Sequence, residues 1–445
     1  MDCLRMARNN TEVRIRDDMT PRPILRRKFL RNIGAAVGAT AFPRWSDARP
    51  GFKRVAAIIT HYTHNSHADI IVGRLLESHT LDGRGTWPKQ GWPRLELASM
   101  YVDQFPAADK SRALAAEFNV PLCASVADAL TIGGPDLAVD GVLIIAEHGD
   151  YPLSETGQIA YPRRKFFEET AAVFRRSGRS VPVFMDKHLA WNWPDAKWIY
   201  DTARELKVPL MAGSTVPITW RHPAIEMNRG ARATEAVGCS FGPLETYGFH
   251  GLEALQCLAE RRRGGETGVR AVQCLEGDAV WQARDAGRID GALLEACLAV
   301  RERPLRPGKR IEDGVTAAAF LIDYTDGFRA VMLHGNGGGF INWIVAWREE
   351  GRGDLPATLF WTQEARPLGH FGFLVQGIEE MIYSGKPTWP AERTLLTTGI
   401  LAAGFQSRKE GGARIETPHL AIAYEPTFTW TDPPAPPPGR PFTGP

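Results

Sequence analysis

The sequence predicts an α/β protein in two parts: a doubly wound parallel sheet over residues 51–216, then an α+β half over 217–430 with a mostly antiparallel, open-faced sheet. Three observations carry this. Short apolar runs alternate with helix-period segments from Arg54 to Thr215, the pattern of a parallel sheet covered on both faces. From Pro217 onward, strand-like runs follow one another across turns, with Asp326-Gly327 a strong hairpin signal. The chain has 445 residues, too many for one ordinary core.

Taken in order, Val55 to Ile59 is a buried strand, and Ile70, Ile71, Leu75 and Leu76 recur at helical spacing after it. The turn between them reads T-H-Y-T-H-N-S-H and contains no glycine. "LDGRGTWPKQGWPR" is an inserted surface loop. A second strand ends at Asp103, and a third, Val142 to Ala146, runs into "EHGDYP". A helix over "RRKFFEETAAVFRRSG", the strand and loop "SVPVFMDKHLA", a helix opened by Pro194 and the strand "PLMAGST" complete this half. The second half offers the strands "AVGCSFG", "GVRAVQCLEG", "TAAAFLIDYTDGFRAVMLHG", "FINWIVAWREEG" and "ATLFWTQ", with helices at "HGLEALQCLAERRRG" and "GFLVQGIEEMIYSG" on one side. Residues 431–445 are proline-rich and predict a disordered tail.

Composition bounds the function. Hydrophobic residues make up 44%, charged residues 23%, and the net charge is +2. That balance belongs to a globular protein and gives no electrostatic footprint for nucleic acid. No apolar run is long enough to span a bilayer. Residues 1–50 are leader and linker: Arg26 and Arg27 precede Phe29 and Leu30, and a weakly apolar stretch follows from Ile33 to Phe42. This order resembles a twin-arginine export signal, with the Tat translocon as partner and a periplasmic or extracellular destination. Six cysteines lack C-x-x-C spacing and sit mostly in apolar segments. They read as small core residues, without a disulfide framework.

Ligands of an open parallel sheet bind beyond the carboxyl ends of its strands. The loops leaving the four readable strand ends carry His61, His64 and His67; Asp103; Glu147, His148, Asp150 and Tyr151; and Asp186, Lys187 and His188. Asp103 closes the second strand, where a dinucleotide fold bonds the ribose hydroxyls; the bland reading is a solvated turn cap. Lys187, at another strand end, has the place to stabilise an alkoxide or relay a proton, against a plain surface lysine. In the second half His250 and Glu253 lie one helical turn apart. That spacing suits an imidazole oriented by a carboxylate. Trp87, Trp92, Trp191, Trp193 and Trp220 lie in polar loops. Their faces suit sugar rings, as they suit core packing.

From Arg54 to about Tyr424 these segments resemble the Gfo/Idh/MocA family, the relatives of glucose–fructose oxidoreductase and inositol dehydrogenase. "YVDQFPAADKSRALAAEFNVPLCASVADAL" is similar to the family's second strand, helix and serine–helix segment, and "DGVLIIAEHGDYP" to its strand and Pro- and His-bearing loop. "VPVFMDKHLAWNWPDAKWIYDTARELKVPLMAGST" resembles the E-K-P-[LM]-[AS] motif region, with Lys187 as the motif lysine. "TYGFHGLE" resembles the G-x-H-x-x-D segment, matching Gly248 and His250, with Glu253 in place of aspartate. The resemblance implies a Rossmann-like dinucleotide-binding half and an oxidoreductase acting on a sugar or polyol. A tightly bound NAD or NADP would lie against Thr60, His61, His64, Asp103, Glu147 and His148. Lys187 and His250 would manage the substrate proton. Asp150, Tyr151, His188, Trp191 and Glu253 would line the substrate, and pairing of open sheet faces would give a homo-oligomer.

The chain also departs from that pattern. The G-x-G-x-x-[GA] turn is missing, Asp186 and His188 replace the motif glutamate and proline, and Thr246 stands where aspartate is commoner. A helical segment starting "YPRRKFF" extends the loop after His148. Two other readings therefore stay open. His61 and His64 with Glu147, His148 or Asp150 would make a divalent-metal cluster serving a hydrolase or lyase. The other is a non-catalytic sugar-binding protein on the same scaffold.

Overall fold

The structure, a computed structural model, describes residues 49–89, 93–302, 316–336 and 342–440. The paired arginines and Trp92 lie outside these residues.

The first sheet has six parallel strands: β1 (Lys53–Ile59), β2 (Leu95–Val102), β3 (Leu122–Cys123), β4 (Gly141–Ile145), β5 (Val183–Asp186) and β6 (Leu210–Gly213). Their order is β3-β2-β1-β4-β5-β6. Strand order therefore reverses between β1 and β4, the place where such sheets bind ligands. Alternate residues of β1 point to opposite faces. Val55 and Ile59 join one apolar cluster, Ala56 and Ile58 another. Helices α1 (His67–Leu76), α2 (Ser111–Phe118), α3 (Val126–Thr131), α4 (Arg163–Ser177) and α5 (Trp193–Glu205) fall between the strands, as expected for this half.

The second sheet combines β7 (Trp220–His222), β8 (Ala233–Ser240), β9 (Val269–Glu276), β10 (Thr316–Tyr324), β11 (Arg329–Asn336), β12 (Trp343–Glu349), β13 (Ala357–Trp361) and β14 (Ile415–Glu416). The order is β14-β9-β10-β11-β8-β12-β13-β7. Pairing is antiparallel except between β8 and β11. The β10–β11 hairpin closes at Asp326-Gly327, as predicted, with Gly327 in the left-handed region at φ 90°.

Helix α6 (Leu244–Ala259) and helix α10 (Ala391–Lys409) pack on one face of this sheet. Two helices, α7 (Asp278–Asp285) and α8 (Gly291–Ala299), pack against the other, and these two and α10 are the helices of this half that the sequence reading missed. The expectation of helices on one side only is corrected: α7 and α8 are both short, and α7 follows directly on β9. Helix α9 (Gly369–Ser384) crosses back to the first sheet, where Phe371, Leu374, Val375 and Ile378 join the cluster containing Val55 and Ile59.

Two loops are more tightly held than the sequence suggested. The tryptophan loop is anchored by Trp87, stacked on Trp220 at 6.0 Å and lying over Gly369, where a Cβ would come within 2.0 Å of the indole. The tail, expected to be disordered, is placed as far as Arg440. Trp430 Nε1 donates to the Thr219 carbonyl at 2.9 Å, and Arg440 pairs with Asp82 at 2.7 Å. An extended proline-rich strand needs no internal hydrogen bonds, so a few such anchors suffice to dock it. Cys123, Cys239, Cys257, Cys274 and Cys297 are free thiols, and among the described residues no helix is long and apolar enough to cross a membrane.

Candidate functional site

The site is built where β1, β4 and β5 end. Thr60 ties the first two together: its N–H donates to the Ile145 carbonyl at 3.2 Å and its hydroxyl to the Glu147 carbonyl at 2.8 Å. The turn then closes without glycine. Asn65 takes the left-handed conformation at φ 59° and Ser66 caps α1, accepting from the Asp69 N–H. Asp69 reaches back to the Asn65 N–H at 2.9 Å. This is a variant of the capping box, with the return bond falling on the residue before the cap. Lys110 lies 2.5 Å from the Asp69 carboxylate, and Arg366 pairs with it as well. Two cations thus face one carboxylate at the positive end of a helix, which favours an anion there.

Glu147, Asp186 and Lys187 are all buried. Glu147 accepts from Lys187 Nζ at 2.6 Å and from Arg163 at 3.2 Å, and Arg163 also donates to the Lys187 carbonyl at 2.8 Å. Burial alone would raise the Glu147 carboxyl; Lys187, His67, Arg163 and His148 outweigh it and hold the group well below the usual carboxylate range. His67, the first residue of α1, has Nδ1 2.6 Å from Asp186 Oδ2. Its ring meets His148 edge-on at 5.6 Å, and His148 in turn stacks on His61 at 5.7 Å and 12°. Burial pushes His148 down to about 4 and also lowers His61.

His250 projects from α6 toward this cluster. Its Nδ1 lies 2.5 Å from Ser214 Oγ, just past β6, and its ring packs on Trp343 at 5.1 Å. Burial drives it well below the ordinary imidazole value, and the charges of Lys187 and His67 push it further down. Because β5 and β6 pair at Asp186 and Gly213, the lysine and the histidine singled out from the sequence meet at neighbouring strand ends.

The remaining candidates fall around it. Asp103 accepts from two tyrosine hydroxyls, Tyr101 at 2.7 Å and Tyr151 at 2.8 Å. Asp150 is exposed, and its backbone is held both ways by the Gln104 amide. His64 is exposed, beside Asp69 and Arg366. His188 is buried, with Nδ1 2.6 Å from the Ala190 carbonyl and Nε2 3.7 Å from Glu245. Trp191 is half-buried in the bend before α5.

Two expectations are corrected. Glu253 does not orient His250 directly: it accepts from Thr397 at 2.7 Å, Thr394 at 3.2 Å and the Ser214 N–H at 3.4 Å, so the two meet through Ser214. The metal-type grouping is His67 with Glu147 and His148 rather than one built on His61 or His64. His67 is on the helix, which turns it over the end of β4, whereas His64 stays outside on the turn. Sequence reasoning also missed Arg163, Ser214 and His370. Burial holds His370 down to about 3, and its Nδ1 has no partner. For Arg163 the signal was present, since "YPRR" follows the His148 loop directly.

A cleft of about 700 Å³ opens beside the crevice, lined by His61, Gln104, Phe105, Pro106, His148 and Tyr161 among others.

Among solved structures, the fold matches that of myo-inositol dehydrogenase from Lactobacillus casei in complex with NAD(H) and myo-inositol, with TM-score 0.51 and 12% identity over 85% of this chain and 99% of that one. GenD2 from gentamicin A biosynthesis, in complex with NAD, gives 0.51 and 14% over 84% and 99%. A putative myo-inositol dehydrogenase from Sinorhizobium meliloti gives 0.50 and 12% over 82% and 99%. These neighbours are Gfo/Idh/MocA-type oxidoreductases, and at such identities the likeness is one of fold. No family model matches the sequence, and no curated protein does.

Proposed function

We propose that this chain, which has the Gfo/Idh/MocA fold, is an exported oxidoreductase that interconverts a hydroxyl and a carbonyl on a sugar or polyol with a tightly held NAD or NADP. One observation carries the reading: β5 and β6 pair at Asp186 and Gly213, so Lys187 leaves its strand beside Ser214, the residue that holds His250 of the second half. Export is supported by the paired arginines of the leader.

The residues fit a dinucleotide through side chains instead of bare backbone. The start of α1 with Lys110 and Arg366 favours phosphate, while His61, His148 and Gln104 offer ring and amide donors along the cleft. Asp103 stands at the end of β2 for the ribose. Bound there, the nicotinamide supplies the two-electron acceptor or donor.

The chain's own part is proton chemistry. Glu147 holds the Lys187 ammonium at 2.6 Å, and that cation stabilises negative charge developing on the substrate oxygen. His250 is a free base at neutral pH, with Nδ1 held by Ser214, and accepts the hydroxyl proton. Glu147 and Arg163 fix Lys187 from behind.

Denaturing the purified protein and analysing the supernatant by mass spectrometry tests this. The expected result is a nicotinamide dinucleotide, or saturable binding of NAD or NADP to the empty protein. Finding neither would overturn the reading and leave a sugar-binding role on this scaffold.

A further inference from the structure

We infer that His67, Glu147 and His148 form a binding site for a divalent transition-metal cation, with Asp186 as the outer partner of His67. Their ligating atoms all lie within 4.8 Å of one another. Metal–ligand bonds of about 2.0–2.2 Å place ligand atoms roughly 3–3.5 Å apart, so a modest shift of the His148 ring toward His67 and Glu147 closes the set.

Three features indicate a built site. The Asp186 carboxylate engages His67 Nδ1 at 2.6 Å. This leaves Nε2 as the coordinating atom and fixes the ring, which is how metal-bound imidazoles are commonly held. His148 is a non-glycine residue in the left-handed region, at φ 67°. Such a conformation persists where the surroundings over-determine it, often at functional sites. Here the Thr60 hydroxyl pins the carbonyl just before it. Glu147, buried and fixed by Lys187 and Arg163, keeps a free lone pair on each carboxylate oxygen.

Two imidazoles and one carboxylate suit zinc, manganese or cobalt better than magnesium or calcium. Lys187 and Arg163 balance Glu147 and Asp186, so the dication would add charge to a neutral cluster. The remaining positions therefore call for anionic oxygen: hydroxide, or a hydroxy-acid or diol chelating through adjacent oxygens.

The test uses the full chain, stripped with a chelator and titrated with Co²⁺ while visible d–d absorption is recorded, and with Zn²⁺ by calorimetry. One equivalent should bind. H67A and H148A should each abolish the band, D186N should weaken affinity about tenfold or more, and H419A, at an exposed histidine, should leave it unchanged. Thermal melts confirm that every variant is folded. Absence of saturable binding, or binding that survives H67A and H148A in folded protein, overturns the inference. Because the proposed function also sets His148 along the dinucleotide cleft, the titration uses protein shown by mass spectrometry to be free of dinucleotide, so that failure of metal binding and failure of the redox function are read separately.

Discussion

His67 Nδ1 sits 2.6 Å from Asp186 Oδ2, joining the helix after β1 to the end of β5 across the intervening β4. This contact spans the topological switch point, so it fixes the floor of the crevice as well as one ring. Asp186→Ala should cost about 1–3 kcal/mol, the range for leaving a buried polar partner unmade. Urea unfolding measures the loss, and His67 ring resonances should broaden or move. An unchanged midpoint would show that the pair contributes nothing to the fold.

Ser214 positions His250 and also donates its N–H to Glu253. Ser214→Ala keeps that backbone contact and removes the hydroxyl. On the proposed substrate class, kcat should fall about tenfold with KM nearly unchanged, and Ser214→Thr should restore part of it. Steady-state kinetics on the three proteins decides the matter. A change confined to KM would place Ser214 in substrate binding instead.

Lys187 and Glu147 are buried together at 2.6 Å. Removing one partner strands the other, at a cost of about 3–5 kcal/mol. Lys187→Met should therefore destabilise the protein more than the double change Lys187→Met with Glu147→Leu. A double-mutant cycle in urea reads the coupling.

Several histidines are held neutral by burial: His79 down to about 4, His370 to about 3, and His250 well below the ordinary value. In the unfolded chain each protonates near pH 6.5. Between that value and the lowered one the unfolded state binds more protons, so stability is complete above pH 6.5 and falls as pH drops toward 4. Urea midpoints at pH 7.5, 6 and 5 should decline in that order. His370→Phe removes one titrating group and should flatten the decline.

Gly369 lets α9 approach the Trp87 indole, where an added Cβ would meet the ring at 2.0 Å. Gly369→Ala should cost about 1–3 kcal/mol, as overpacking does. It should also shift tryptophan emission as Trp87 leaves Trp220.

The first sheet was legible because its strands are buried on both faces and its helices carry long apolar periods. The crevice was legible only as a set of strand ends. Lys187 and His250 stood out by residue type and position, yet the contacts that define them join distant segments: His67 and Asp186 are 119 residues apart, Ser214 and His250 are 36. No local period encodes such pairs. The same limit explains Glu253, whose spacing to His250 is right on a helix but whose carboxylate is taken up by Thr394 and Thr397 on α10. The helices α7 and α8 were missed because each is under ten residues, and α8 and the longer α10 carry little helical period of their own.

Helix α9 covers the face of β1 that carries Val55 and Ile59, although more than 300 residues separate Phe371 from Val55. During synthesis that face is covered only by α1 and α2 until the ribosome has passed Ile378. The amino-terminal half thus emerges with one side of its sheet only partly covered, and nascent chains halted before α9 should expose the apolar surface that Phe371, Leu374 and Ile378 later bury.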